Sequence, residues 1–349
     1  MRVEIAARCG NELGESVLWD PEREEVLWVD IERGSILRLE PRSGVLHSSQ
    51  HDDRIGAIGL REGGGLVLGL ASGFALLNSI DGSLERPQTV ESDLPTTRLN
   101  DGRVDRSGRF ICGGMDEAAN RQPISAVYRL DPDQQVHRII DAVHISNSIC
   151  FSPNGTEMYF TDMPSAQILV YSYDSDLGVP HDPKVFADLS DQPGLADGST
   201  IDADGCLWSA QWGGSRIVRY APSGAIDRVI ELPATNPTCP AFGGSDLRTL
   251  FITTATSGLS EAQRRPNQTP VLYFASRPAL SACRNHASSA SVLASTPASL
   301  ARSTSCEAEK RSPVLYFRGV PLGFLANGLP HGAVACQCSP QPWVAGYRR

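Results

Sequence analysis

Three observations predict that this chain is all-β and folds as a six-bladed β-propeller. A unit of turn, apolar strand, polar turn, second strand and Asp/Pro/Gly closure recurs at a spacing of about 40 to 50 residues. Helical hydrophobic periodicity of any length is missing. Short polar motifs stand at the same place ahead of successive units, as loops gathered at one mouth of a ring would require. A two-sheet sandwich is the competitor, but it gives no reason for a fixed period over six copies.

Taken in order, the first copy is Glu25–Leu39, closed by Pro41–Gly44. The second is Gly65–Leu77, closed by Asp81-Gly82. The third runs from Arg109–Gly114 through Ala126–Leu130 to Asp131-Pro132. The fourth pairs Met158–Asp162 with Ile168–Tyr173, and the fifth pairs Cys206–Ala210 with Arg216–Tyr220. The sixth blade begins near residue 240; its strand Thr249–Thr254 has no clear second half. The propeller is therefore assigned to residues 1–263, with the last blade expected to be incomplete. An open ring would leave unpaired strand edges prone to association.

Residues 264–349 form an atypical basic segment rich in Ser, Ala, Pro and Cys, open to a disordered reading. It holds ten Lys and Arg against Glu307 and Glu309, leaving 21 of 31 basic and 38 of 40 acidic residues before it. That break in charge marks a composition boundary. The segment contains two near-copies, Thr269–Phe274 and Ser312–Phe317, which fit no architecture by themselves. It has the look of an out-of-frame or substituted C-terminus; a natural extension is the other reading.

The net charge of -9 argues against a nucleic-acid footprint. No apolar run approaches the roughly 18 residues of a membrane span, and the N-terminus lacks a signal-peptide h-region. Nine cysteines without Cys-x-x-Cys spacing suggest reduced thiols and a cytoplasmic setting. No Gly-x-Ser-x-Gly elbow is present, and Gly63–Gly65 precedes a strand rather than a helix, so neither an α/β-hydrolase nor a phosphate loop is indicated. His331 with Cys336 and Cys338 resembles a metal cluster only loosely, and His47, His51 and His144 have no ligand spacing.

The recurring polar motifs are Gly14-Glu-Ser16, Arg98-Leu-Asn-Asp101, Ser146-Asn-Ser148 and Ala196-Asp-Gly198. Each stands about ten residues ahead of its blade's turn signature, at Trp19–Pro21, Asp105–Gly108, Ser152–Gly155 and Asp202–Gly205. Arg98–Asp101 reads as a loop carrying functional groups. If the segment is extended instead, Arg98 and Asn100 share a face. Singly these residues also suit plain turns: an Asx-turn at Asn147, a hairpin turn at Asp197-Gly198, a solvated charge at Glu15.

At this point the sequence resembles the regucalcin/gluconolactonase (senescence-marker-protein-like) family of six-bladed sugar lactonases. The matching runs are Leu13–Ser16, Leu18–Pro21, Leu27–Asp30, Arg98–Asp105, Ile145–Asn147, Phe151–Gly155, Met158–Asp162, Ala196–Gly198, Ile201–Trp208 and Phe242–Gly244, in order over roughly residues 10 to 260. The resemblance implies a metal site at Glu15, Asn147 and Asp197. It implies substrate contacts at Arg98 and Asn100, and at an acid that is Glu117 or Asp116, with Glu117 preferred. Where the family usually carries Gly after the metal-binding Asn, this chain has Ser148, so a shifted backbone is expected there.

Glu, Asn and Asp oxygens make a hard-cation site, suited to one divalent ion: Ca²⁺, Mg²⁺ or Mn²⁺, with Zn²⁺ less favoured. The implied reaction is hydrolysis of an aldonolactone such as L-arabinono-, galactono- or gluconolactone. Asp197 would serve as general base toward water, and Arg98, Asn100 and Glu117 would hold the small-molecule sugar lactone. The alternative is a calcium- or divalent-metal-binding regulatory propeller with little turnover. Sequence alone leaves the oligomeric state open.

Overall fold

Short apolar runs separated by tight turns leave each run one economical way to satisfy its backbone, antiparallel pairing with the next. The computed structural model describes residues 3–79, 82–260 and 271–276. The chain divides into two units, 1–319 and 320–349, and all the described residues belong to the first.

Strand β1 (Val3–Arg8) precedes the first blade, which comprises β2 (Gly14–Asp20), β3 (Glu25–Asp30), β4 (Ser35–Glu40) and β5 (Val45–Gln50). The second holds β6 (Ile55–Leu60), β7 (Leu66–Leu70), β8 (Gly73–Leu77) and β9 (Leu84–Thr89). The third holds β10 (Thr97–Val104), β11 (Phe110–Asp116), β12 (Ser125–Leu130) and β13 (Val136–Val143). In the fourth are β14 (Ser146–Phe151), β15 (Glu157–Asp162), β16 (Gln167–Asp174) and β17 (Val179–Asp188). The fifth contains β18 (Leu195–Ile201), β19 (Leu207–Trp212), β20 (Arg216–Tyr220) and β21 (Ile226–Glu231). Last come β22 (Asn236–Gly243), β23 (Thr249–Ala255) and β24 (Val271–Ser276), completed by β1 as the outer strand.

The sixth blade is thus four-stranded, which corrects the expectation of an incomplete one. Its third strand, Val271–Ser276, takes in the last four residues of the first near-copy, beyond the point where the recurring pattern stops. Strand β1 pairs antiparallel with it from Val3↔Ala275 to Arg8↔Val271, so the N-terminal strand closes the ring. The second near-copy, and His331, Cys336 and Cys338, lie outside the described residues, as does the rest of 264–349.

A core cluster fills each junction between neighbouring blades. Leu27, Val29 and Ile36 of the first blade meet Ile55, Ile58 and Leu68 of the second. At the closing junction Trp19 and Trp28 pack with Ala241, Phe251 and Leu272. Sheets covered on both sides bury both faces of their inner strands: every residue of β3, β6 and β14 is buried, whereas every residue of β5 is exposed. The turn signatures are held by their aspartates. Asp202 Oδ1 accepts from the backbone N of Asp204 and Cys206 at 3.0 Å each, and Gly205 takes the left-handed φ of 76° that the turn requires.

Among the described residues Cys9, Cys112, Cys150, Cys206 and Cys239 are free thiols, and no helix is long and apolar enough to cross a membrane. The helical exception to the β pattern there is one 3₁₀ turn, Met163–Ser165.

Candidate active site

Arg98–Asp101 is strand, not loop: β10 begins at Thr97, and Arg98 pairs with Met115 and Leu99 with Gly114. The polar residues of this run still fit a strand because it is the innermost of its blade and borders the central channel. Each innermost strand carries a bulge at the same place, between Glu15 and Leu18, Leu99 and Gly102, Asn147 and Cys150, and Ala196 and Ser199. A bulge breaks the strict alternation of faces and re-aims side chains at a mouth. Here it brings Glu15, Arg98, Asn100, Asn147 and Asp197, from four blades, to one cavity of about 530 Å³, together with Glu117.

The residues beside these groups lock one blade to the next. Ser16 Oγ accepts from Ile58 N at 2.9 Å, and Asp101 Oδ2 accepts from Ile149 N at 2.7 Å. Ser148 Oγ donates to the Asp197 carbonyl at 2.5 Å and shares a 2.9 Å hydrogen bond with Ser199 Oγ. Thr238 Oγ1 donates to the Gly14 carbonyl at 2.5 Å. Gly56 and Gly198 serve other junctions, since a Cβ on either would lie within 3 Å of the facing backbone oxygen of Leu99 or Thr238. Ser148 adopts φ 59°, the left-handed conformation that glycine takes most easily. The serine therefore keeps a glycine-like backbone and adds a buried hydroxyl aimed at the strand bearing Asp197.

Electrostatics divide the cavity in two. Arg98 is nearly fully buried; its Nε donates to Glu117 Oε1 at 3.0 Å and its Nη1 to Asn100 Oδ1 at 2.7 Å. Asn100 Nδ2 in turn donates to Asn147 Oδ1 at 3.1 Å, so an unbroken chain of hydrogen bonds links Glu117 to Asn147. Glu117 also binds Arg54, Nη1 to Oε1, at 2.8 Å. Although partial burial works against it, the two guanidiniums hold its carboxyl below the usual range. Asp116 is folded away: its oxygens accept from Ala118 N and Gln122 N. Of the two acids considered for this position, Glu117 lines the cavity.

On the other side, Glu15 and Asp197 face each other, and among the described residues neither forms an ion pair. Burial, then the nearby Asp101, pushes Glu15 up to about 8, against a 3.0 Å hydrogen bond from Ser16 N. Asp197 is raised as well, by burial and then by Glu15. Two buried carboxyls that can ionise only at mutual cost, with an amide oxygen among the neighbouring side chains, fit a hard divalent cation taking the proton's place. Among the described residues no three His, Cys, Asp or Glu side chains cluster as a metal site; the third candidate donor is the amide of Asn147.

Sequence reasoning had missed Arg54, Glu32, Arg121, Met163 and Trp212, which belong to the cavity or its supports. Arg54 stands just ahead of the second blade's innermost strand, the place the other motifs occupy, and that position was the available signal.

A model of the SMP-30/gluconolactonase/LRE-like region matches residues 13–256. An L-arabinolactonase of Azospirillum brasilense is 38% identical over 260 residues, 74% of this chain and 85% of that protein. A 6-deoxy-6-sulfogluconolactonase of Pseudomonas putida is 35% identical over 254 residues, 72% of this chain and 87% of that protein. A crystal structure of a calcium-binding protein, regucalcin, from Agrobacterium tumefaciens superposes with a TM-score of 0.74 at 28% identity, covering 78% of this chain and 92% of that one.

Proposed function

Because the chain belongs to the SMP-30/gluconolactonase/LRE-like family, we propose that it is a metal-dependent hydrolase that opens a sugar lactone to the aldonic acid. The observation that carries this reading is the convergence of Glu15, Asn147 and Asp197 with Arg98 and Asn100 in one cavity. Simple cation binding has no use for the last two. The similarity to proteins named as lactonases supports the substrate class.

Glu15, Asn147 and Asp197 would hold the cation, whose chemistry is to polarise the lactone carbonyl and offset charge developing on its oxygen. Asp197, at the cavity beside the place the cation would occupy, would receive the proton of the attacking water. Arg98 and Asn100 orient the sugar hydroxyls and ring oxygen, and Glu117 with Arg54 fixes the Arg98 guanidinium. A lactone is an activated ester, so no nucleophilic Ser or Cys is needed. The reduced thiols suit a cytoplasmic setting.

The likeness to a regucalcin described as calcium-binding favours a second reading, a cation-binding propeller with little turnover. One experiment separates the two. Lactone opening is followed by proton release on a panel of aldonolactones, after EDTA treatment and with Ca²⁺, Mg²⁺, Mn²⁺ or Zn²⁺ restored. Turnover that returns with metal supports the hydrolase; metal binding without turnover supports the second reading.

A further inference from the structure

Arg121 stands in the loop between β11 and β12 and lines the same cavity. The loop is pinned. Asp116 accepts from Ala118 N and Gln122 N, Arg121 N donates to the Ala118 carbonyl at 3.0 Å, and Glu117 N donates to the Thr96 carbonyl at 2.8 Å. A backbone held in this way fixes where the exposed Arg121 side chain leaves the loop, so that binding has only its rotamers to order.

The charges around it are already matched. Both oxygens of Glu117 are taken by Arg54 and Arg98, and Glu32 lies 3.7 Å from Arg54. Asp116 spends its oxygens on its own loop. Among the described residues Arg121 forms no ion pair, although every other cation at this cavity does. The acid whose carboxyl feels the Arg121 charge, Asp116, has its oxygens engaged by the backbone of its own loop, and the lining adds the uncharged Met115, Ile145, Met163, Pro164 and Trp212. A neutral sugar needs hydrogen bonds, which Arg98 and Asn100 supply. A fork of guanidinium donors without a carboxylate is suited to an oxyanion.

We propose that Arg121 is a specificity-determining residue that binds an oxyanion substituent on the end of the lactone remote from the reacting carbonyl, so that acidic sugar lactones are preferred over neutral ones. This rests on the lactonase reading and narrows its substrate class. The test compares kcat/KM for a glucarolactone carrying its free carboxylate with that for the matching gluconolactone, whose hydroxymethyl group replaces the carboxylate. The wild-type chain with restored metal should favour the acidic lactone, and added NaCl should weaken that preference. In Arg121→Gln the ratio of the two kcat/KM values should fall about tenfold, with the loss in KM for the acidic lactone, and Arg121→Lys should restore part of it. Equal use of both lactones by the wild type, or an unchanged ratio in Arg121→Gln, would overturn the inference and leave the lactonase reading intact. Failure to open either lactone at any metal concentration would overturn both.

Discussion

Ser148 offers the sharpest test of how the cavity is held. Its Oγ is fully buried, 2.5 Å from the Asp197 carbonyl and 2.9 Å from Ser199 Oγ. In Ser148→Ala the carbonyl loses its side-chain donor in a place water does not reach, a cost of about 1–3 kcal/mol. Alanine is no worse than serine at φ 59°, so backbone strain adds nothing. At roughly 2–4 °C per kcal/mol for a domain of this size, the melting temperature should drop by about 2–12 °C. If that hydrogen bond also fixes the strand bearing Asp197, divalent-cation affinity measured by calorimetry should fall by up to about tenfold, the equivalent of 1.4 kcal/mol. Ser148→Gly is the control: it relaxes the left-handed backbone yet lacks the hydroxyl, so it should recover stability without recovering affinity. Unchanged affinity in both variants would refute the argument that the serine positions Asp197.

Three further outcomes follow from the geometry. Asp197→Ala and Asn147→Ala should each abolish metal-stimulated lactone opening while circular dichroism and the main unfolding transition persist; full activity in either would remove that residue from the mechanism. Glu15 is raised from 4.5 to about 8, and Asp197 in the same direction, so the metal-free native state holds more protons than the unfolded chain between those values. Its stability should therefore fall as pH rises through that window, and stabilisation by added cation should be larger at pH 8 than at pH 6; melting curves with EDTA and with metal check both. Ending the chain after Gln263 would delete β24, stripping buried Leu272, Tyr273 and Ala275 from the core and leaving β1 unpaired. The loss, about 5 kcal/mol, approaches the whole stability of an ordinary domain, so this version should aggregate on expression, and a soluble, cooperatively melting product would contradict the closure described.

The sequence by itself determined the middle of each blade. Runs such as Glu25–Asp30 and Cys206–Ala210 are buried on both faces and bounded by Asp- and Gly-marked turns, so composition and spacing suffice to find them. Their sixfold recurrence then implies a ring, and the equivalent placement of Glu15, Asn100, Asn147 and Asp197 implies a shared mouth. Outer strands such as Val45–Gln50 escaped, because an exposed edge selects for polarity and leaves no apolar pattern to read.

Tertiary structure alone decided the rest. Val271–Ser276 becomes a strand because β23 and β1 offer it two edges, a long-range condition that no local window contains. Arg98–Asp101 looked like a loop because a strand facing a channel can carry polar groups, provided that the bulge and the partners across the ring satisfy them. Glu117 rather than Asp116 faces the cavity because the two backbone donors of the following loop capture Asp116 first. In each case the deciding partner lies on another strand or blade, and only the closed ring brings it near.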